Sequence, residues 1–274
     1  MIDEVRVAAH YGKSNLYQQI EIGLLSLGLN LGSVGTDDLV FVDNFHIGGD
    51  RATQFIADNL KLDTGKTILD IGCGIGGPAR YMAKNRGCRV HGVDLTKNYI
   101  ETGLKLNALV NLNDMVNLHQ GTALNLPFGN SSFDGVYMIH VGMNIEKKDQ
   151  LMKESYRVVK QGNFFVIFDV MKCKGREVVY PLPWADRCEE SAVDTLKSYS
   201  DSLLAAGFSI VKKEEKNQFA RTFFEGVISN MDSNRKRAFG LQLLMGENAR
   251  AKIMNIYKQI QDKVLSPVLL VAKK

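Results

Sequence analysis

The sequence predicts an α/β fold in which helices cover both faces of a largely parallel sheet. From residue 66 onward, short apolar segments of strand length alternate with longer segments of helical pattern. A glycine-rich turn follows the first of these strands. Such alternation is typical of crossover units, which place successive strands parallel to one another. The composition, 45% hydrophobic and 23% charged over 274 residues, is that of an ordinary globular protein.

Residues 1–62 are predicted to form an N-terminal helical cover, because Leu16, Ile20 and Leu24 recur at helical spacing. The core domain is predicted over residues 63–274. Its strands are predicted at 66–71, 88–93, 115–119, 133–140, 164–171, 208–213 and 267–272, and its helices at 77–86, 97–110, 147–159 and 191–206. The segment 217–266 is too long for a loop and carries apolar residues at helical spacing, so we expect a helical insertion there.

The glycine-rich turn is the motif that indicates chemistry. Gly72, Gly74, Gly76 and Gly77 lie between the first strand and the first core helix. Glycine lets the backbone approach a ligand closely, and a helix N-terminus adds partial positive charge. The spacing also fits the dinucleotide fingerprint, so a nicotinamide or flavin cofactor and S-adenosylmethionine are both open from the glycines alone.

Two carboxylates flank this turn. Asp94 ends the second predicted strand, where a carboxylate can accept hydrogen bonds from ribose hydroxyls of either cofactor. Asp70 stands two residues before Gly72, where it would repel a pyrophosphate and would suit an ammonium group. Asp70 therefore favours S-adenosylmethionine, and an NAD-dependent oxidoreductase becomes the distant alternative.

The segments Leu126-Pro127-Phe128 and Phe133-Asp134-Gly135-Val136 carry a family resemblance. Over about residues 40–273 the chain resembles class I S-adenosylmethionine-dependent methyltransferases that act on small molecules. The resemblance implies a doubly wound, Rossmann-like seven-stranded sheet with an antiparallel last strand, between N-terminal and late helical cover elements. The cofactor it implies is S-adenosyl-L-methionine, with S-adenosyl-L-homocysteine as product.

A narrower resemblance is carried by Asp43–Gly49, His140–Ile145, Pro183-Trp184-Ala185 and Leu243–Gly246. These segments look like bacterial relatives of sarcosine/dimethylglycine and phosphoethanolamine N-methyltransferases. The cofactor-binding residues that follow are Gly48, Asp70, Gly72, Gly74, Gly76, Asp94, Leu95, Thr122, Ala123, Ile139 and His140, with Tyr11 as a further candidate. Many relatives have aspartate where Thr122 stands, and a hydroxyl accepts the adenine amino hydrogen bond more weakly than a carboxylate does.

Four residues are candidates for the acceptor side. His140 is the candidate catalytic base, and a histidine that only hydrogen-bonds the cofactor or a backbone carbonyl is the alternative. His46, Asn144 and Trp184 are predicted to face the substrate. Asn144 stands where phosphoethanolamine enzymes have a histidine, so their catalytic pair is not carried over.

The predicted reaction is methylation of a small molecule, with an amine acceptor of the sarcosine or dimethylglycine kind preferred. O- or C-methylation of a phenol or quinone-type metabolite is the alternative, and a non-catalytic binding module is a third hypothesis. A net charge of +4 gives no strong attraction to nucleic acid. We expect no metal site, no membrane span, no signal peptide and a cytoplasmic location. The oligomeric state stays open, with a homodimer among the alternatives.

Overall fold

A computed structural model describes the sheet and the elements around it. The described residues are 4–11, 15–43, 45–173, 175–231, 245 and 248–274. The strands are β1 (Thr67–Ile71), β2 (Arg89–Asp94), β3 (Val116–Gln120), β4 (Gly135–Ile139), β5 (Phe164–Lys172), β6 (Ser209–Glu215) and β7 (Leu265–Lys273). They form one seven-stranded sheet in the order β3-β2-β1-β4-β5-β7-β6.

Parallel pairing runs from β3 to β5, and β7 alone is antiparallel to both of its neighbours. This confirms the predicted doubly wound, Rossmann-like sheet with an antiparallel last strand. The strand order reverses between β1 and β4, which lie side by side with Asp70 opposite Tyr137. In open α/β sheets, ligands bind outside the carboxyl ends of the strands at such a reversal.

The helices pack on both faces of the sheet. They are α1 (Glu4–Tyr11), α2 (Leu16–Ser26), α3 (Val40–Asp43), α4 (Asp50–Leu60), α5 (Gly77–Arg86), α6 (Lys97–Leu109), α7 (Lys148–Val158), α8 (Leu196–Ala206), α9 (Asn217–Met231) and α10 (Ala249–Gln261). The core on one face joins Tyr137 and Val166 to α4, α5, α9 and α10. The core on the other face joins Met138 and Phe165 to α7 and α8.

The Leu126-Pro127-Phe128 segment is held by an ion pair on α7. Glu154 accepts a hydrogen bond from the Leu126 backbone N–H at 2.8 Å. Arg157 donates to the carbonyls of Leu126 at 2.9 Å and Phe128 at 2.6 Å, and also pairs with Glu154. Helix α7 thus holds the connection between β3 and β4 in place through this motif. No helix lies in that connection among the described residues.

Some predicted boundaries differ from the structure. The helix predicted from residue 191 begins at Leu196, because the Thr195 side chain accepts a hydrogen bond from the Ser198 N–H and caps the helix there. The last strand begins at Leu265, two residues before the predicted start. Much of the predicted Leu243–Gly246 motif, and Asn44, lie outside the described residues. In the described part of the chain no helix has the length and apolar character to cross a membrane.

Candidate functional site

A cavity of about 550 Å³ opens at the carboxyl ends of β1, β2 and β4. Its lining comes from the turns after these strands, from α1, and from α9 and α10. Both helical covers therefore meet over the strand-order reversal. The predicted site residues among the lining are Asp70, Gly72, Gly74, Asp94, Leu95, Ala123, Ile139, His140, His46, Asn144 and Trp184.

Three predicted cofactor residues do not line this cavity: Gly48, Gly76 and Thr122. Gly48 has a positive φ of 89°, and a Cβ there would overlap the ring of Phe219. Its glycine therefore allows α9 to approach the N-terminal segment. The Thr122 hydroxyl points instead to Glu4, to which it donates a hydrogen bond at 2.5 Å.

The glycine turn is shaped by close backbone approach. Gly72 has a φ of +71°, and a Cβ at this position would overlap the Val141 side chain that follows β4. The Gly72 N–H donates to the Val93 carbonyl at 2.7 Å, which ties the turn to the end of β2. A side chain at residue 72 would push apart the two strand ends that bound the cavity.

Asp94 anchors the same turn from β2. One carboxylate oxygen accepts from the Gly74 N–H at 2.9 Å, and the other accepts from the Thr96 N–H at 2.8 Å. Burial raises the pKa of Asp94, and these two backbone N–H groups counter the shift. Each carboxylate oxygen keeps accepting capacity, so Asp94 can still receive a hydroxyl from the cavity.

Asp70 is the buried acid at the centre of the site. It is 2% exposed, and its Oδ2 atom has no hydrogen-bond partner in the described structure. Burial raises the pKa of Asp70 to about 8; the nearby Tyr137 hydroxyl lowers it somewhat, and the carboxylate of Asp94 raises it further. A buried oxygen without a partner costs free energy, and a cation in the cavity would remove that cost.

His140 directly follows β4 and has a positive φ of 53°, which non-glycine residues rarely adopt and which concentrates at functional sites. Its Nε2 atom accepts a hydrogen bond from the Ile47 backbone N–H at 3.2 Å. Burial lowers the pKa of His140 to about 3, and His46 adds to the shift. The imidazole is therefore neutral at pH 7, with its lone-pair nitrogen already engaged by the backbone.

His46 is held by its own segment. Its Nε2 atom donates to the Gly49 carbonyl at 3.0 Å and lies 3.1 Å from the Thr53 hydroxyl. Burial lowers the pKa of His46 to about 4. His46 and His140 pack edge to face with ring centroids 6.4 Å apart, so the two histidines lie together at one wall of the cavity.

Helix α1 contributes Tyr11, which was a predicted cofactor candidate, and two residues that the sequence patterns did not predict, Glu4 and Val7. Glu4, Val7 and Tyr11 share one helical face and line the cavity. The Asn144 amide donates to the Tyr11 hydroxyl at 3.3 Å, so α1 is hydrogen-bonded at one end to Thr122 and at the other to Asn144. The spacing of residues 4, 7 and 11 is a signal for one helical face, but it does not say what that face covers.

The remaining wall is apolar and aromatic. Trp184 is 4% exposed and lines the cavity, while its Nε1–H donates to the Ser191 hydroxyl at 2.9 Å. The residues that continue this wall are Phe223, Phe224 and Val227 of α9 and Ile253 and Ile256 of α10. Among the described lining residues there is no arginine, and Lys147 is the one lysine.

A model of the family described as "Methyltransferase domain" matches residues 69–167. This range contains the glycine turn, Asp94 and His140, and it ends within β5.

Curated relatives agree with that match. "Methyltransferase GfsG" of Streptomyces halstedii is 30% identical over 146 residues, which is 48% of this chain and 52% of that protein. "Sterol 24-C-methyltransferase" of Eremothecium gossypii is 28% identical over 182 residues, covering 64% of this chain and 48% of that protein. The chain spans about half the length of these curated relatives.

A solved structure shows the same fold. Phosphoethanolamine N-methyltransferase 2 of Haemonchus contortus, solved with S-adenosyl-L-methionine, superposes with a TM-score of 0.72 at 23% identity. The match covers 87% of this chain and 56% of that one. Residues 69–167 thus match a methyltransferase domain, and the sheet that contains them has the same fold as this N-methyltransferase structure.

Proposed function

We propose that this protein transfers a methyl group from S-adenosyl-L-methionine to a small-molecule acceptor bound in the 550 Å³ cavity. The observation that carries the proposal is the unpartnered Oδ2 of Asp70, buried beside the glycine turn. An ammonium group stabilises the ionised form of this carboxyl, whereas a pyrophosphate would be repelled by that form. The methyltransferase-domain match over residues 69–167 supports this choice over an NAD-dependent oxidoreductase.

The other predicted cofactor residues fit the rest of the molecule. Asp94 would accept ribose hydroxyls on the lone pairs that its two backbone hydrogen bonds leave. Leu95 and Ala123 line the cavity beyond Asp94 and would pack against the adenine. Gly72 and Gly74 line the span between Asp70 and Asp94, where the methionine part would lie close to the backbone.

The bound cofactor supplies the methyl group and its sulfonium leaving group. The protein's part is then to hold the acceptor in line with the methyl carbon at roughly 3–3.5 Å and to exclude water. Trp184 and the apolar face of α9 exclude water from the acceptor side, and α1 lines the cavity with Glu4, Val7 and Tyr11. These elements supply positioning, which is the main catalytic requirement of an in-line displacement.

His140 is proposed as a positioning residue, which replaces the prediction of a catalytic base by the alternative role. Its Nε2 lone pair accepts the Ile47 N–H, so removing a proton from the acceptor would first require that bond to break. The bond holds the segment after α3 against the end of β4. We expect loss of His140 to loosen the cavity wall without removing a proton acceptor.

The acceptor is proposed to carry an apolar body. Trp184, Phe223 and Phe224 give aromatic faces, and the scarcity of cationic lining residues leaves little to pair with a carboxylate or phosphate. Arg187, a candidate partner for such a group, pairs with Glu190 and is 77% exposed. A relative named for sterol C-methylation favours a carbon acceptor of this kind.

An amine acceptor is the second candidate. The structure named as a phosphoethanolamine N-methyltransferase shares the fold, and aromatic faces such as that of Trp184 attract substituted ammonium groups. An amine on an apolar body would satisfy both observations better than sarcosine would.

The test is a turnover screen that measures S-adenosylhomocysteine release. Acceptors would include sterols and other polycyclic or isoprenoid alkenes, phenols and quinols, hydrophobic amines, sarcosine and phosphoethanolamine. The proposal expects turnover in an apolar class and little with sarcosine or phosphoethanolamine. A Trp184→Ala variant should raise KM more than it lowers kcat. Turnover confined to the small zwitterionic amines would refute the apolar acceptor.

A further inference from the structure

Glu4 lines the cavity from α1 beside the turn after β3, two strands from Asp70 in the sheet. The lining here also includes Gly121 and Ala123, which flank Thr122, and Leu95, which follows Asp94. Thr122 does not line the cavity, and its hydroxyl already makes two hydrogen bonds: it accepts from the Leu124 N–H at 3.1 Å and donates to Glu4 at 2.5 Å. The acidic group beside this turn therefore belongs to residue 4 and not to residue 122.

Glu4 lines the cavity and can accept a hydrogen bond from a ligand there, whereas Thr122 does not line it. An ionised carboxylate accepts on two oxygens, and the hydroxyl of Thr122 occupies one site on Oε1. The remaining lone pairs accept from a donor in the cavity but repel an acceptor. An exocyclic amino group on a purine is such a donor, and a purine oxo group in the same position is an acceptor.

We infer that Glu4 reads the adenine amino group of the cofactor across the helix α1 interface, and that Thr122 serves to orient the Glu4 carboxylate. This assignment rests on the proposed function, since it places the adenine next to Leu95 and Ala123. It makes α1 a specificity-determining element as well as a cover. It also explains why a threonine suffices at residue 122, where many relatives have an aspartate.

The experiment compares binding of two ligands by isothermal titration: S-adenosylhomocysteine and its inosine analogue, in which an oxo group replaces the amino group. Wild-type protein should prefer the adenosine ligand by about tenfold or more, because a carboxylate accepts from the amino group and repels the oxo group. Glu4→Gln should bring the two affinities to within about threefold, since an amide can face either group.

Three further variants distinguish recognition of the amino group by Glu4 from orientation of the Glu4 carboxylate by Thr122. Thr122→Val removes the hydrogen bond from the Thr122 hydroxyl to Glu4 and keeps the carboxylate. It should therefore weaken the binding of both ligands while the preference for the adenosine ligand persists. Glu4→Gln combined with Thr122→Asp moves the carboxylate to the neighbouring position and should restore the preference. Glu101→Gln is the matched control, because Glu101 is an exposed glutamate on α6 that pairs with Lys97, and it should change neither affinity.

The outcomes are distinguishable. Equal weakening of both ligands in Glu4→Gln, with the preference unchanged, would show that Glu4 only fastens α1 and would overturn the inference alone. Failure of wild-type protein to bind S-adenosylhomocysteine would overturn the proposed function, and the inference with it.

Discussion

Binding of S-adenosylhomocysteine should release a proton from Asp70. Burial raises the pKa of this carboxyl to about 8, so at pH 7 the ligand-free protein holds about 0.9 proton there. Pairing with the ligand's ammonium lowers that pKa by favouring the charged carboxylate. We therefore expect release of about 0.9 proton per ligand at pH 7, falling to about 0.5 at pH 8 and about 0.1 at pH 9.

The assay is isothermal titration in buffers of different ionisation enthalpy, such as phosphate and Tris, from which the number of released protons is obtained directly. Asp70→Asn should remove this component and weaken binding, while Asp58→Asn, on the surface of α4, should leave both unchanged. The raised pKa of Asp70 also sets the direction in which the stability of the ligand-free protein changes with pH. A carboxyl whose folded pKa exceeds 3.8 destabilises the fold as pH rises toward 8, so Asp70→Asn should gain stability relative to wild type over that range.

Proton release that is equal in wild type and Asp70→Asn would refute this reasoning. So would release by wild-type protein that does not decline between pH 7 and pH 9, because the carboxyl would then not be the source.

Three further predictions concern the frame of the site. Gly72→Ala should abolish ligand binding and lower the melting temperature more than Gly162→Ala does. Both glycines have a positive φ, but only Gly72 has a neighbouring side chain, that of Val141, where a Cβ would lie. Equal effects of the two substitutions in calorimetry would contradict the close approach of Val141 to Gly72. Arg80→Ala should lower the free energy of unfolding in urea by about 3–5 kcal/mol, because it leaves the buried Asp43 carboxylate without its cationic partner. Lys197→Ala, which breaks an exposed ion pair, should change that free energy by no more than about 0.5 kcal/mol. A loss below about 1 kcal/mol in Arg80→Ala would contradict the role of the buried pair. His46 has a pKa of about 4 in the folded protein, below its unfolded value, so its contribution to stability is lost as the pH falls below about 6.5. In denaturant titrations, wild type should lose about 2 kcal/mol of unfolding free energy relative to His46→Asn between pH 7 and pH 5. A difference between the two proteins that stays constant over this range would show that His46 titrates normally.

The sheet was predictable because its determinants are local and periodic. Strand–helix alternation gave the parallel units, and the Asp70–Gly77 turn marked the strand at which the cavity opens. The meeting of Asp70, Asp94 and His140 also follows from position, since each lies at the carboxyl end of a parallel strand and these ends share one edge. All three line the cavity.

What could not be predicted depends on contacts between distant segments. Glu4 reaches Thr122 across 118 residues, and the Ile47 N–H reaches His140 across 93 residues. No periodicity encodes such contacts. The sequence does not show that the Nε2 atom of His140 accepts the Ile47 N–H, nor that Gly48 makes room for Phe219 where a cofactor contact was predicted.

The glycine turn and Asp70 are proposed to hold S-adenosylmethionine and not a dinucleotide. Side-by-side titration of the wild-type protein with S-adenosylhomocysteine and with NADH tests it most directly. We expect one-to-one binding of S-adenosylhomocysteine, abolished by Gly72→Ala, and no measurable binding of NADH. Tight NADH binding that S-adenosylhomocysteine does not displace would contradict it.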